Sequence, residues 1–377
     1  MLYVLMFGIS SFLFYIGDKT KERGRILFHF WGVLLPVLMA ALRDERVGND
    51  ILGYVKPMFL QAEKSGSLTD YFIGLASGLN TRDLELGFSI VGYIATKITG
   101  SLQGVFGIYE AIMIIPIYLA IKKYNENITV KYNVPQIKMW IGMFCYYTLF
   151  YNMSLTMVRQ SLACSLLVYC VICFMSGYRI RAFLILVAAI SFHSTAAVGI
   201  VIILLFWCIE SEWKHIRRLI IPLGILFAVV GGQMYWIVMN LLSKIMPVPA
   251  RYLTFEYMWK QGHGLNIAFV YLIFCAFVCV WDVQFRNTAN NKFLIFEKYV
   301  VWCAIFLTPM SIAAANVSRV LYYFFYFFVF IIPLAADRNT RFRINNRTWI
   351  PVLICIVYWL GTVLFNDYTG TVNYILA

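Results

Sequence analysis

The chain has 377 residues, of which 62% are hydrophobic and only 13% charged, a usage that excludes a water-soluble globular fold. A net charge of +13 would fit a nucleic-acid binder if the protein were soluble. Here the Lys and Arg residues cluster between apolar runs, so they report membrane topology and leave no role for nucleic acid.

Taking about 20 residues per crossing, hydropathy predicts spans near 2–17, 26–42, 103–121, 138–153, 159–175, 180–192, 195–209, 219–241, 266–284, 297–314, 318–336 and 349–366. The expected fold is an all-α polytopic bundle of about 12 transmembrane helices in a single integral membrane domain, 1–377. Six inter-span segments carry twenty of the thirty-one basic residues, among them Lys19 to Arg25, Lys122 to Lys138, Arg179 and Arg181, and Arg338 to Arg347. They are the expected cytoplasmic loops, which places both termini and the segments 43–102 and 242–265 outside.

Two stretches depart from simple crossing. Residues 85–100 are apolar, but counting them as a span would invert every later basic loop. They are expected to form an amphipathic helix at the outer interface, with Glu85, Ser89 and Thr96 on one face and Ile90, Ile94 and Ile98 on the other. In 180–209 two short runs meet at Phe192-His193-Ser194. A turn at membrane depth is tolerated only where protein or a wet cavity surrounds it, which makes His193 an enclosed residue.

The outer side supplies the candidate site. Arg43-Asp44-Glu45-Arg46-Val47-Gly48-Asn49-Asp50 follows a span directly, and Arg159 and Arg319 each begin one after a tight turn. Arginine at such depth is costly and marks function by default, although an arginine at a span end also snorkels to the headgroups. Several guanidinium groups suit a diphosphate. His193 is either a packed core residue or a general base, and Asp44, Glu45 and Asp50 either pair with Arg43 and Arg46 or act in catalysis. The aromatic run Tyr322 to Phe328 is expected to be lipid-facing and packing surface, with a polyprenyl-chain groove as the sharper alternative. The nine cysteines lie in apolar runs, and Cys170 and Cys173 are read as small apolar helix residues rather than a redox or metal site.

These strings together resemble the EpsG-type members of the Wzy-like bacterial polysaccharide polymerases. The resemblance rests on Ala41 to Asp50 with Tyr54, Glu85-Leu86-Gly87-Phe88, Val158-Arg159-Gln160-Ser161-Leu162-Ala163, Phe192-His193-Ser194-Thr195-Ala196, and Ser318-Arg319 with Tyr322-Tyr323. It implies a GT-C-like, polyprenyl-dependent glycosyltransferase in a bacterial cytoplasmic membrane. Such an enzyme moves a growing glycan from undecaprenyl diphosphate onto a lipid-linked repeat unit at the outer face. No cofactor or metal is expected, consistent with a sequence that has no glycine-rich phosphate loop and no Asp-x-Asp string. A chain-length co-polymerase and a flippase are the implied partners.

In that reaction His193 is the expected base, with Asp50 or Glu85 as the alternative. Arg159, Arg319 and Arg43, with Arg46, Gln160 and Tyr323, would hold the diphosphate and glycan. A lipid-linked oligosaccharide flippase and a membrane O-acyltransferase remain alternatives, although an internal duplication typical of transporters is not apparent between 1–190 and 191–377.

Overall fold

A computed structural model describes residues 2–48, 50–78, 85–212, 241, 244, 291–313, 315–337, 349–365 and 371. The expected spans 219–241 and 266–284, the outer segment 242–265, and Arg338 to Arg347 lie outside the described residues, apart from Leu241 and Lys244. Among the described residues the secondary structure is entirely helical. Four stretches, Leu2–Lys19, Glu22–Ala41, Leu102–Tyr132 and Val158–Met175, are long and apolar enough to cross a membrane. The chain is therefore a membrane protein, helical throughout its described elements.

It forms two compact units, one of Met1–Ala197, Ile332–Asp337 and Ile344–Ala377, the other of Val198–Ile331 and Arg338–Arg343. In the first, α1 (Leu2–Lys19) and α2 (Glu22–Ala41) form an antiparallel hairpin. After a π-helical turn at Ile51–Val55 come α3 (Lys56–Lys64) and α4 (Leu68–Gly78). Then follow α5 (Leu86–Thr99), α6 (Leu102–Lys123) and α7 (Thr129–Tyr132). The chain continues as α8 (Met139–Tyr146), α9 (Asn152–Thr156), α10 (Val158–Met175) and α11 (Arg179–Phe192). Helix α10 is buried along most of its length and packs on both α6 and α11.

Pro36 shows how this core satisfies its backbone. A proline inside α2 has no N–H to give the carbonyl four residues earlier, and in an apolar interior that acceptor needs another donor. The Ser10 hydroxyl donates to Gly32 O at 2.6 Å and the Tyr147 hydroxyl at 3.3 Å. Tyr147 belongs to a π-helical turn, Tyr147–Tyr151, that links α8 to α9.

Helix α5 carries the two faces expected of it. Ser89 and Thr96 are buried, while Ile94 and Ile98 are exposed. The polar face packs inward on α3, α6 and α11. This is the reverse of a water-soluble amphipathic helix and fits a segment with lipid on its outer side.

The second unit contains α12 (Val198–Glu210), α13 (Lys292–Ala313), α14 (Ala315–Phe325) and the first turn of the short apolar helix α15 (Phe328–Asp337), whose remainder belongs to the first unit. Of the two roles expected for the aromatic run, packing holds and the lipid-facing one is corrected here. Tyr322 to Phe328 are all at most 4% exposed, with Phe327 edge-on to Phe296 at 5.8 Å. Tyr322 to Phe325 alone make a full turn of α14, and all are buried, so protein surrounds the run on every side. The first unit is completed by α16 (Trp349–Trp359), whose Trp359 indole donates to Asn152 Oδ1 at 2.8 Å.

Candidate active site

The segment after α2 folds back onto the end of α9. Arg43 is 2% exposed, donates to Leu155 O at 3.1 Å and lies 4.6 Å from the Phe106 ring centre. Its charge also interacts with that of Glu110, a 1% exposed residue of α6 whose two carboxylate oxygens each accept from the Ser154 hydroxyl at 3.1 Å. Gly48 has φ +108°, and a Cβ there would sit 2.1 Å from Leu155 O. Only glycine fits, for both backbone and space. Docking this segment brings Asp50 and Tyr54 to the break between α9 and α10.

That break is at Met157 (φ −109°, ψ 63°), and Arg159 lies in the first turn of α10, 9% exposed. The positive end of a helix dipole is an unfavourable place for a cation. The surroundings offset this. The guanidinium carbon lies 3.6 Å from the centre of the Tyr54 ring. Asp50 Oδ2 is 4.0 Å from Arg159 Nε, and Glu85 Oε2 is 3.7 Å from Nη1. These are ion-pair separations, longer than hydrogen bonds.

On the far side of Glu85, α11 stops at Phe192. His193 is extended (φ −159°, ψ 118°), and the chain resumes in a 3-10 turn at Ser194–Ala197, a break at the expected turn. Glu85 Oε1 accepts from Ser194 N–H at 3.2 Å and is 2.5 Å from His193 Nδ1. An oxygen accepting from both sides places the proton of the neutral ring on Nδ1 and leaves Nε2 as the basic atom. His193 Nε2 is buried and has no hydrogen bond among the described residues. The contact depends on Gly87, where a Cβ would lie 2.2 Å from Ser191 Oγ and 3.0 Å from its carbonyl carbon. A bare backbone at this position lets α5 sit on the end of α11.

The structure thus joins Asp50, Glu85, Arg159 and His193, residues spread over more than 140 positions, with Gln160 buried beside Arg159. Arg43 stands behind the cluster in a buried brace. Asp44 accepts a forked pair from Arg46 at 2.7 and 3.3 Å, and Glu45 pairs with Lys56 at 2.7 Å. The bonds from Arg46 hold the Asp44 carboxyl below its ordinary value. The Arg46 side chain is 67% exposed. Arg319 and Tyr323 belong to the second unit, one turn apart on α14, the first half-buried and the second fully buried. Sequence reasoning missed Glu110. A lone acid in the middle of an apolar span was the signal that could have found it.

The basic segments gather at the other end of the same unit. Met139 N–H donates to Asp18 at 3.1 Å, Lys131 Nζ to Met175 O at 3.0 Å, and Lys123 Nζ lies 4.3 Å from the Tyr178 ring centre. Helix α2, with 20 residues, separates the two ends by roughly 30 Å. The site and the basic loops therefore occupy opposite ends of the first unit.

Comparison with curated proteins and with solved structures found no significant match to either. A sequence model of the EpsG family, by contrast, matches residues 26–376. Covering nearly the whole sequence, that match shows that the chain belongs to the EpsG family.

Proposed function

We propose that this chain is a polysaccharide polymerase that transfers a growing glycan from undecaprenyl diphosphate onto a lipid-linked repeat unit at the outer face of a bacterial cytoplasmic membrane. Family membership supports a polymerase-type role. The observation that carries the mechanism is His193 held by Glu85, with Arg159 on the other side of the same carboxylate.

His193 Nε2 takes the proton of the acceptor hydroxyl as its oxygen bonds to the anomeric carbon, and the bond from that carbon to the diphosphate oxygen breaks. Glu85 fixes the imidazole and stabilises the imidazolium that forms, a carboxylate–imidazole arrangement in which general-base help is worth about 100- to 10,000-fold. The leaving diphosphate gains negative charge, and Arg159 is the preorganised cation for it. Asp50 and Tyr54 orient that guanidinium. Arg46 and Gln160 complete the proposed substrate contacts of the first unit, Arg319 and Tyr323 are proposed as diphosphate and glycan contacts of the second, and Arg43 acts from behind through the Gly48 segment.

In this reading the chain is a single GT-C-like membrane domain of about 12 spans with both termini outside. A chain-length co-polymerase and a flippase are its partners. Purified protein in lipid, given a lipid-linked repeat unit and no nucleotide or acyl donor, is expected to form a polymer ladder that His193→Ala and Arg159→Ala abolish. The absence of a ladder, with movement of the unit between leaflets, would make the chain a flippase.

A further inference from the structure

A second feature of the first unit lies away from the proposed reaction centre. Between α1, α8 and α16 runs an open groove of about 810 Å³. Its walls at membrane depth are apolar, built from Gly8, Phe12, Phe144 and Val352, while its mouth at the basic end holds Lys19 and Lys138. The groove is apolar along its length and cationic at one end, the distribution of a lipid in reverse charge.

Three observations point to an occupant. Ser11 lines the groove at 6% exposure, and its hydroxyl has no hydrogen bond among the described residues. Tyr15 and Trp140 stand edge to face at 6.2 Å near the mouth, where amphipathic rings mark the headgroup level. The one carboxylate at the mouth, Asp18, accepts from Met139 N–H at 3.1 Å and lies 3.4 Å from His29 Nε2. It is thus engaged on the protein side as well, and the entrance carries two ammonium groups to one carboxylate. Lys19 is also steadied by the Tyr15 hydroxyl and ring.

We infer that this groove is a binding site for an anionic phospholipid of the leaflet at the basic end, its phosphate between Lys19 and Lys138 and an acyl chain along Gly8, Phe12 and Phe144. Basic pockets between spans bind anionic headgroups in this way. The inference rests on the chain being embedded in a membrane, not on the polymerase reading, and its test needs no turnover.

Full-length protein in detergent is incubated with equimolar phosphatidylglycerol and phosphatidylcholine, and bound lipids are counted by native mass spectrometry. The wild type is expected to retain phosphatidylglycerol preferentially. Each of Lys19→Gln and Lys138→Gln should weaken that preference about fivefold, from the attraction of one basic residue near a charged surface. Both lysines are exposed, so unchanged thermal stability is expected alongside. Gly8→Leu should reduce retention of both lipids, because a Cβ at Gly8 meets nothing within 4 Å and the longer side chain would fill the groove without disturbing the fold. Equal retention of the two lipids by the wild type would overturn the inference. So would a preference that survives the double lysine substitution, or displacement of the lipid by glycerol phosphate alone.

Discussion

Replacing Glu85 by glutamine tests whether the carboxylate acts through His193. Glutamine keeps the shape and one acceptor oxygen, so Ser194 N–H retains a partner, but the charge 2.5 Å from Nδ1 is lost. A charge-assisted hydrogen bond contributes about 1.5–3 kcal/mol. If all of it is felt when the imidazolium forms, the rate falls about 10- to 150-fold. His193→Ala removes the base itself and should cost about 100- to 10,000-fold. Groups that act as a unit are not additive, so the double variant should be no slower than His193→Ala alone. Asp50 remains near Arg159 in all three proteins, which limits the indirect effect on that side. The assay is the initial rate of ladder formation in proteoliposomes across lipid-linked substrate concentrations. A double variant slower by the product of the two single losses would refute the coupling. The reasoning would also fail if Glu85→Gln changed KM alone, since Glu85 would then serve to place Arg159 rather than the base.

Three further substitutions probe the supports of the site. Gly48→Ala forces a Cβ to 2.1 Å from Leu155 O at φ +108°; backbone strain alone costs about 1–3 kcal/mol, and a lowered thermal midpoint in detergent should report it, an unchanged midpoint refuting it. Gly87→Ala should push α5 off Ser191 and pull Glu85 from His193. A displacement of this kind costs about 100-fold in rate, with partial recovery on adding Ser191→Gly. Glu110→Gln removes a carboxylate whose charge acts on Arg43 while keeping an acceptor for the Ser154 hydroxyl, so it should lower the thermal midpoint, and Glu110→Gln with Arg43→Gln should recover part of that loss; equal stability of the single variant and the wild type would remove the brace from the account. For orientation, Ser67→Cys on the exposed start of α4 should react with an impermeant thiol reagent outside the cell and Val130→Cys, at 81% exposure, only after the inner side is opened. Ser65, at 4% exposure, is a poor reporter, and the reverse labelling pattern would invert the proposed topology.

Much of the helix frame was legible because apolar length is a strong signal and the breaks had local causes. The turn at Phe192-His193-Ser194 followed from two runs too short to cross separately, and the two faces of α5 followed from helical spacing. The meeting of Glu85 with His193 was not legible in this way. It depends on two helices approaching where Gly87 meets Ser191, and nothing in either local string encodes a partner about a hundred residues away. The family resemblance put both residues in one reaction without putting them in contact. The placement of Arg43 was likewise hidden. By position it belonged with the other outer cations, but its guanidinium is buried against Leu155 O and the Phe106 ring, on elements far along the chain. The aromatic run was misjudged because hydropathy cannot distinguish a surface that meets lipid from one that meets protein.

The candidate site lies at two helix breaks, and this has an energetic consequence. Each break in a helix exposes peptide groups that an apolar interior cannot solvate, and side chains of the site and its brace satisfy some of them. Arg43 donates to Leu155 O just before the Met157 break, and Glu85 accepts from Ser194 N–H just after the His193 break. The carboxylate assigned to hold the base therefore also holds the fold together. Truncating it to alanine would lower stability and rate together and could not separate them, whereas glutamine keeps an acceptor for Ser194 and isolates the charge. For the same reason the breaks cannot be regularised without dismantling the cluster. A continuous helix through His193 would turn its backbone away from Glu85, and one through Met157 would remove the offset that brings Arg159 over Tyr54.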